Sequence, residues 1–241
     1  MSERRSTLFQ GRHFGDEIIV LCLRWYLRYP LSYSNLKEVM AERGLQLDHS
    51  TIARWVLRYA GELNERICSQ MRRPGRSWRV DETYVRVAGQ WNYLAIYTER
   101  SIRRAARLTF RFRRNRDLTA AKSFLQLALW GADGCWPRVI NVDGHPAYPM
   151  AMEELKASGD PSPTCKYRRS PYLNNIIEQD HRFVKKRITA SQGFRSFDGA
   201  MNAIAGYEAM NIIRKGQIRW LPKSDIVGQA KFIEQIFGMA A

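Results

Sequence analysis

Three carboxylates, Asp81, Asp143 and Glu178, stand at points of the chain from which a fold could gather them. Carboxylate oxygens are hard ligands, and a few of them suffice to hold Mg²⁺, which keeps part of its water shell. Two such ions about 4 Å apart stabilise both the attacking and the leaving oxygen of an in-line phosphoryl displacement. The chemistry open to these residues is therefore metal-dependent cleavage or transfer of a phosphodiester. Glu82 adjoins Asp81, but neighbours on a strand point to opposite faces, which favours Asp81 as the inward acid.

The elements that must position them are legible. Asp81 lies in WRVDETYVRV, whose Val, Tyr and Thr content and rough alternation predict a strand. Asp143 follows the apolar run PRVINV and precedes Gly-His-Pro, which predicts the end of a buried strand. Glu178 is different. It lies in YLNNIIEQDHRFVKKRI, where Ile177, Val184 and Ile188 recur at helical spacing. On that helix Asn174, Glu178, His181 and Lys185 form one polar stripe, so a carboxylate and a cation share a face.

Glu178 follows Asp143 by 35 positions and Lys185 follows Glu178 by seven. With the wording WRVDETYV, INVDGHPAY and NNIIEQDHRFVKKR, this strand, strand, helix placement resembles the acidic triad of the DDE transposases and retroviral-type integrases. It is similar in particular to the compact, cointegrate-forming transposases of bacterial insertion sequences. The resemblance runs from about Phe14 to about Arg214. It implies an α/β fold, an RNase H-like mixed five-stranded sheet flanked by helices, in which the first and fourth strands lie side by side. It also implies two Mg²⁺ ions, with Mn²⁺ as a possible substitute, held by Asp81, which bridges them, and by Asp143 and Glu178. Lys185 would grip a phosphate of the terminal DNA. Water would first free a 3′-hydroxyl at the element's end, and that hydroxyl would then attack the target strand. The partners implied are double-stranded DNA, as terminal inverted repeats and as target, and further copies of the chain, at least a dimer.

Composition agrees with a polyanionic partner. Among 241 residues, 39 Lys and Arg against 23 Asp and Glu give a net charge of +16, and phosphate contacts gain from counterion release. No segment approaches the roughly 20 apolar residues of a membrane span, and MSERRSTLFQ lacks the apolar core of a signal peptide. Cys22, Cys68, Cys135 and Cys165 form no C-x-x-C pair, so reduced thiols without zinc are expected. The expected setting is the bacterial cytoplasm, in association with the nucleoid.

Four segments are expected. Residues 1–70 read as an all-α DNA-binding domain of three helices, 71–77 as a basic linker, 78–190 as the catalytic domain, and 191–241 as a C-terminal helical extension. The second and third helices suggest a helix-turn-helix. In the third, Ile52, Trp55, Val56, Tyr59 and Leu63 make an apolar stripe, which leaves His49, Thr51, Arg54 and Arg58 facing outward. Thr51, Arg54 and Arg58 are the candidate DNA contacts. RFRRNR and RRSPY would fit a DNA path, whereas Trp78, Trp91 and Trp130 are read as core. Strands are expected at 78–88, 91–99 and 105–112, then a helix capped by Asp117, the Asp143 strand, a helix near 147–157, a strand at 164–168 and the Glu178 helix. Two other functions stay open: a helix-turn-helix regulator with a degenerate second domain, and an RNase H-type nuclease without strand transfer.

Overall fold

A computed structural model of the chain describes residues 7–71, 76–99, 110–113, 117–130, 136–142, 145–159, 164–169, 175–191 and 193–239. The chain divides into two compact units, Met71–Arg182 and, from both ends of the sequence, Met1–Gln70 with Phe183–Ala241.

The middle unit is built on one sheet. Its strands are β1 (Ser77–Val87), β2 (Gln90–Glu99), β3 (Phe110–Arg113), β4 (Val139–Val142) and β5 (Lys166–Arg169), in the order β3-β2-β1-β4-β5. β1, β2 and β3 are antiparallel, whereas β1–β4 and β4–β5 are parallel. This is the mixed RNase H-like sheet. Parallel strands need crossovers, and two helices supply them: α4 (Leu118–Trp130) before β4 and α5 (Ala147–Ala157) after it. Asp117 caps α4, accepting from the Ala120 amide at 2.7 Å.

Alternation sorts the strand residues between two faces. Trp78 and Val80 of β1 and Ile140 and Val142 of β4 pack with Phe124, Leu125 and Ala128 of α4 and Tyr148, Ala151 and Leu155 of α5. Each large side chain removed from water here contributes about 1.5–3 kcal/mol. Every residue of β4 is buried, as a strand covered on both faces should be. The other face carries polar groups: Arg79 is 3% exposed and Asn141 is 6% exposed. The Asn141 Nδ2 donates to the Trp78 carbonyl at 2.9 Å.

The expected strands stand within a residue or two, except that the third begins at Phe110 and the residues before it lie outside those described. The β1–β2 turn falls one position earlier than the expected strand bounds place it. Val87 pairs with Gln90, leaving only Ala88 (φ 49°) and Gly89 (φ 77°) between them. A two-residue turn with both φ values positive matches the right-handed twist of a hairpin, but an alanine side chain is strained there.

The helical unit comprises α1 (Asp16–Arg28), α2 (Tyr33–Ala41), α3 (His49–Cys68), α7 (Phe197–Arg214) and α8 (Ile226–Ile236), with the second half of α6 (Asn175–Ala190). Ser32 and Asn35 form a capping box for α2, and the Asp48 side chain accepts from the Ser50 amide at the start of α3. By compactness the expected C-terminal helical extension, 191–241, groups with the N-terminal helices. The physical reason is a close helix approach. A Cβ on Gly206 of α7 would stand 2.7 Å from the Ala60 Cβ and 2.8 Å from a Leu27 methyl, so glycine alone lets α7 settle against α3 and α1. Phe237 follows the same logic, its ring lying 5.7 Å from Phe9 and 6.4 Å from Tyr59. Among the described residues no helix is long and apolar enough to cross a membrane.

Two stability changes are expected. Ala88→Asn should raise the unfolding free energy by about 0.5–1 kcal/mol, because asparagine tolerates the left-handed region that alanine resists; an unchanged denaturation midpoint would count against the strain. Glu208, fully buried on α7 with neither carboxylate oxygen hydrogen-bonded, has its pKa pushed well above the ordinary carboxylate range by burial. A raised acid pKa means the folded state holds its proton more tightly, so stability falls as pH rises above the unfolded carboxylate value. Glu208→Met should therefore gain about 1–3 kcal/mol at neutral pH and much less at pH 5, read by denaturant titration at both; a gain independent of pH would contradict this.

Candidate active site and DNA interface

The site begins with the parallel pair β1–β4. Its register sets Ser77 beside Val139, Trp78 beside Ile140 and Arg79 beside Asn141. Asp81 lies on β1, two residues beyond Arg79, opposite Ile96 of β2. Asp143 falls outside the described residues, one position past the end of β4 at Val142. Glu178 lies in the first turn of α6, and His181 and Lys185 follow on the same helix. Lys185 is exposed. Asn174 lies outside the described residues.

Two buried arginines escaped the sequence reading. Arg79 occupies the polar face of the sheet beside Asn141; its place in the alternation, two residues before Asp81, was the available signal. Arg187 sits in the run Lys-Lys-Arg but is 2% exposed. It donates to the Tyr26 carbonyl at 2.7 Å and lies 5.4 Å from the Phe183 ring and 5.7 Å from that of Tyr207. Burial lowers its pKa to about 10, so it stays charged at neutral pH. Its spacing of three from Val184 put it on the apolar stripe of α6.

On α3, Ile52, Trp55, Val56, Tyr59 and Leu63 are buried, as expected. Arg54 and Arg58 are exposed. The Arg54 guanidinium donates to the Thr51 hydroxyl at 3.0 Å, and that of Arg58 lies 5.9 Å from the Tyr59 ring. The tryptophans divide against expectation: Trp78 is core, but Trp91 is 65% and Trp130 is 71% exposed. Trp91 lies beside the tight hairpin turn and Trp130 is the last residue of α4, both positions where neighbouring elements end.

Comparison with known proteins gives the same reading. A family model described as a DDE domain, that of the IS240 transposase group, matches residues 75–217. A transposase for the insertion sequence-like element IS431mec of Staphylococcus aureus is 33% identical over 217 residues, covering 88% of this chain and 91% of the relative. A transposase for insertion sequence element IS257, in transposon Tn4003 of the same species, matches to the same extent. Among solved structures, the HTLV-2 integrase catalytic core domain in complex with magnesium aligns with a TM-score of 0.44 and 16% identity, over 63% of this chain and 97% of that one. A chain of a simian T-cell lymphotropic virus intasome aligns with a TM-score of 0.42 and 18% identity, over 60% of this chain and about half (51%) of that one. Carried by the family model and by the curated relatives, the conclusion is that the chain belongs to the DDE transposases of insertion sequences.

Proposed function

We propose that the chain binds the terminal inverted repeats of its element, nicks them in a metal-dependent step and joins the freed 3′-hydroxyl to target DNA, forming a cointegrate. The observation that carries this reading is the parallel β1–β4 pair. Its register sets Arg79 beside Asn141, and Asp81 lies two residues beyond Arg79 on β1. Asp81, Asp143 and Glu178 then supply the ligand set.

That donor set suits magnesium, because it offers carboxylate oxygens and no thiolate or imidazole. Bound there, two such ions would lower the barrier by neutralising charge on the attacking and leaving oxygens. Asp81, Asp143 and Glu178 would hold them. Lys185, on the helix that carries Glu178, holds a phosphate of the terminal strand and so orients the scissile bond. Thr51, Arg54 and Arg58 read or grip the repeat, Arg54 and Arg58 from the solvent side of α3. The partners are thus double-stranded DNA and at least one further copy of the chain, since two ends are processed together, and the setting is the bacterial cytoplasm.

Asp81→Asn separates binding from chemistry. The variant should hold the repeat as the parent does while Mg²⁺-dependent nicking and strand transfer fall by on the order of a thousandfold, the several kcal/mol that metal charge stabilisation supplies. Undiminished cleavage would sink the triad. Replacing Arg54 and Arg58 with alanine should weaken repeat binding and flatten its salt dependence by roughly two in the log-log slope, measured by anisotropy across a salt series. Unchanged selection of the repeat over random duplex would remove α3 from the recognition role.

A further inference from the structure

The polar face of the sheet carries a second feature. Ser77, Arg79, Arg138, Asn141, Lys166 and Arg168 line a recess of about 200 Å³. Five of them come from alternate positions on adjacent parallel strands: Ser77 and Arg79 on β1, Asn141 on β4, Lys166 and Arg168 on β5. The register sets Arg79 beside Asn141 and Asn141 beside Arg168, which puts these side chains on one face as a grid. Backbone bonds hold the start of the grid, the Arg138 amide donating to the Arg76 carbonyl at 2.7 Å and the Lys166 amide to the Arg138 carbonyl at 2.9 Å.

Four cations and no acid line this recess among the described residues. Gathered on a rigid sheet, Arg138, Lys166 and Arg168 make a positive field that favours an anion between them. Arg79 forms the floor at 3% exposure, while Arg138, Lys166 and Arg168 stand exposed at the rim. Asn141 is held by its bond to the Trp78 carbonyl. A buried guanidinium below and movable cations above suit a tetrahedral oxyanion, because guanidinium forks match phosphate oxygens in pairs.

We propose that this recess is a phosphate-binding site that receives a phosphate group of the nucleic-acid substrate away from the carboxylates. It deepens the DNA-processing reading and rests on it for the identity of the substrate. Asp81 lies four residues along β1 from Ser77, which at strand rise is roughly 13 Å. Arg79, the floor, lies two residues from Asp81, roughly 6.6 Å. The recess therefore spans about two to four nucleotides of B-form strand from that position and would grip the backbone beside the reacting phosphodiester rather than the reacting phosphate itself.

The test uses the full chain and needs no catalysis, so it stands or falls apart from the Asp81→Asn experiment. Inorganic phosphate is titrated at constant ionic strength while the thermal midpoint is followed. The parent should be stabilised by phosphate, and Arg138→Gln with Arg168→Gln, both rim residues, should weaken the apparent affinity about tenfold or more. Arg86→Gln with Lys156→Gln removes the same charge elsewhere in the unit and should leave the response intact. No response in the parent, an unchanged response in the rim variant or an equal loss in the control would each overturn the site. Duplex binding across a salt series then identifies the source of the phosphate. A slope shallower by roughly one to two in the rim variant, with the control's slope less changed, marks a backbone phosphodiester. An unaltered slope beside a lost phosphate response overturns the DNA assignment in favour of a free phosphate.

Discussion

The parallel pairing of β1 with β4 is the constraint on which the rest of the middle unit depends. Parallel strands cannot be joined by a tight turn, so the chain between β1 and β4 must leave the sheet and return, and α4 is the return path. The pair is short, three residues in register, and backbone bonds alone would leave so brief a contact marginal. Two further interactions hold it. The apolar sides of both strands share one core with α4 and α5, and on the opposite side the Asn141 amide reaches the Trp78 carbonyl inside the protein. A buried amide left unpaired would cost about 1–3 kcal/mol, so this bond penalises any slip of β4 against β1, and a slip of one residue would turn every side chain to the wrong face.

The helical unit solves a different problem, keeping polar groups inside a tight bundle. Gly206 brings α7 so close to α3 and α1 that water is excluded, and the Tyr207 hydroxyl bonds that of Tyr26 at 2.9 Å, whose ring stacks on Tyr33 at 4.5 Å. Arg187 and Glu208 then show opposite outcomes of burial. Arg187 keeps its charge because a carbonyl and two aromatic faces offset part of the lost hydration. Glu208 meets no such donor, so desolvation wins and the neutral acid is favoured.

Elements were legible where the sequence carries a local physical signature. Asp117 announced a helix start and makes the expected cap, because capping is decided within four residues. The family resemblance supplied the adjacency of the first and fourth strands that the sheet displays. What stayed hidden depends on contacts between distant segments. Arg187 reads as a solvated charge until Tyr26, 161 positions away, accepts its hydrogen bond. The union of 183–241 with the first helices rests on Gly206 meeting Leu27 and Ala60, and no local pattern names those partners. Trp91 and Trp130 were read as core by residue type, and their exposure follows from where the hairpin and α4 happen to end.

The distribution of charge along β1 links stability to chemistry. A chain carrying +16 must place its cations where they do not disturb the core, and on β1 the alternation does this by setting Arg79 on the polar face and Trp78 and Val80 on the apolar one. Arg79 stands two residues from position 81 on β1, roughly 6.6 Å at strand rise. A cation at the adjacent position would fall on the opposite face, and one introduced by a longer loop would lack a rigid support. The same alternation that hides Trp78 and Val80 in the core therefore delivers positive charge to the polar face, and β1 serves folding and electrostatics with a single two-residue period.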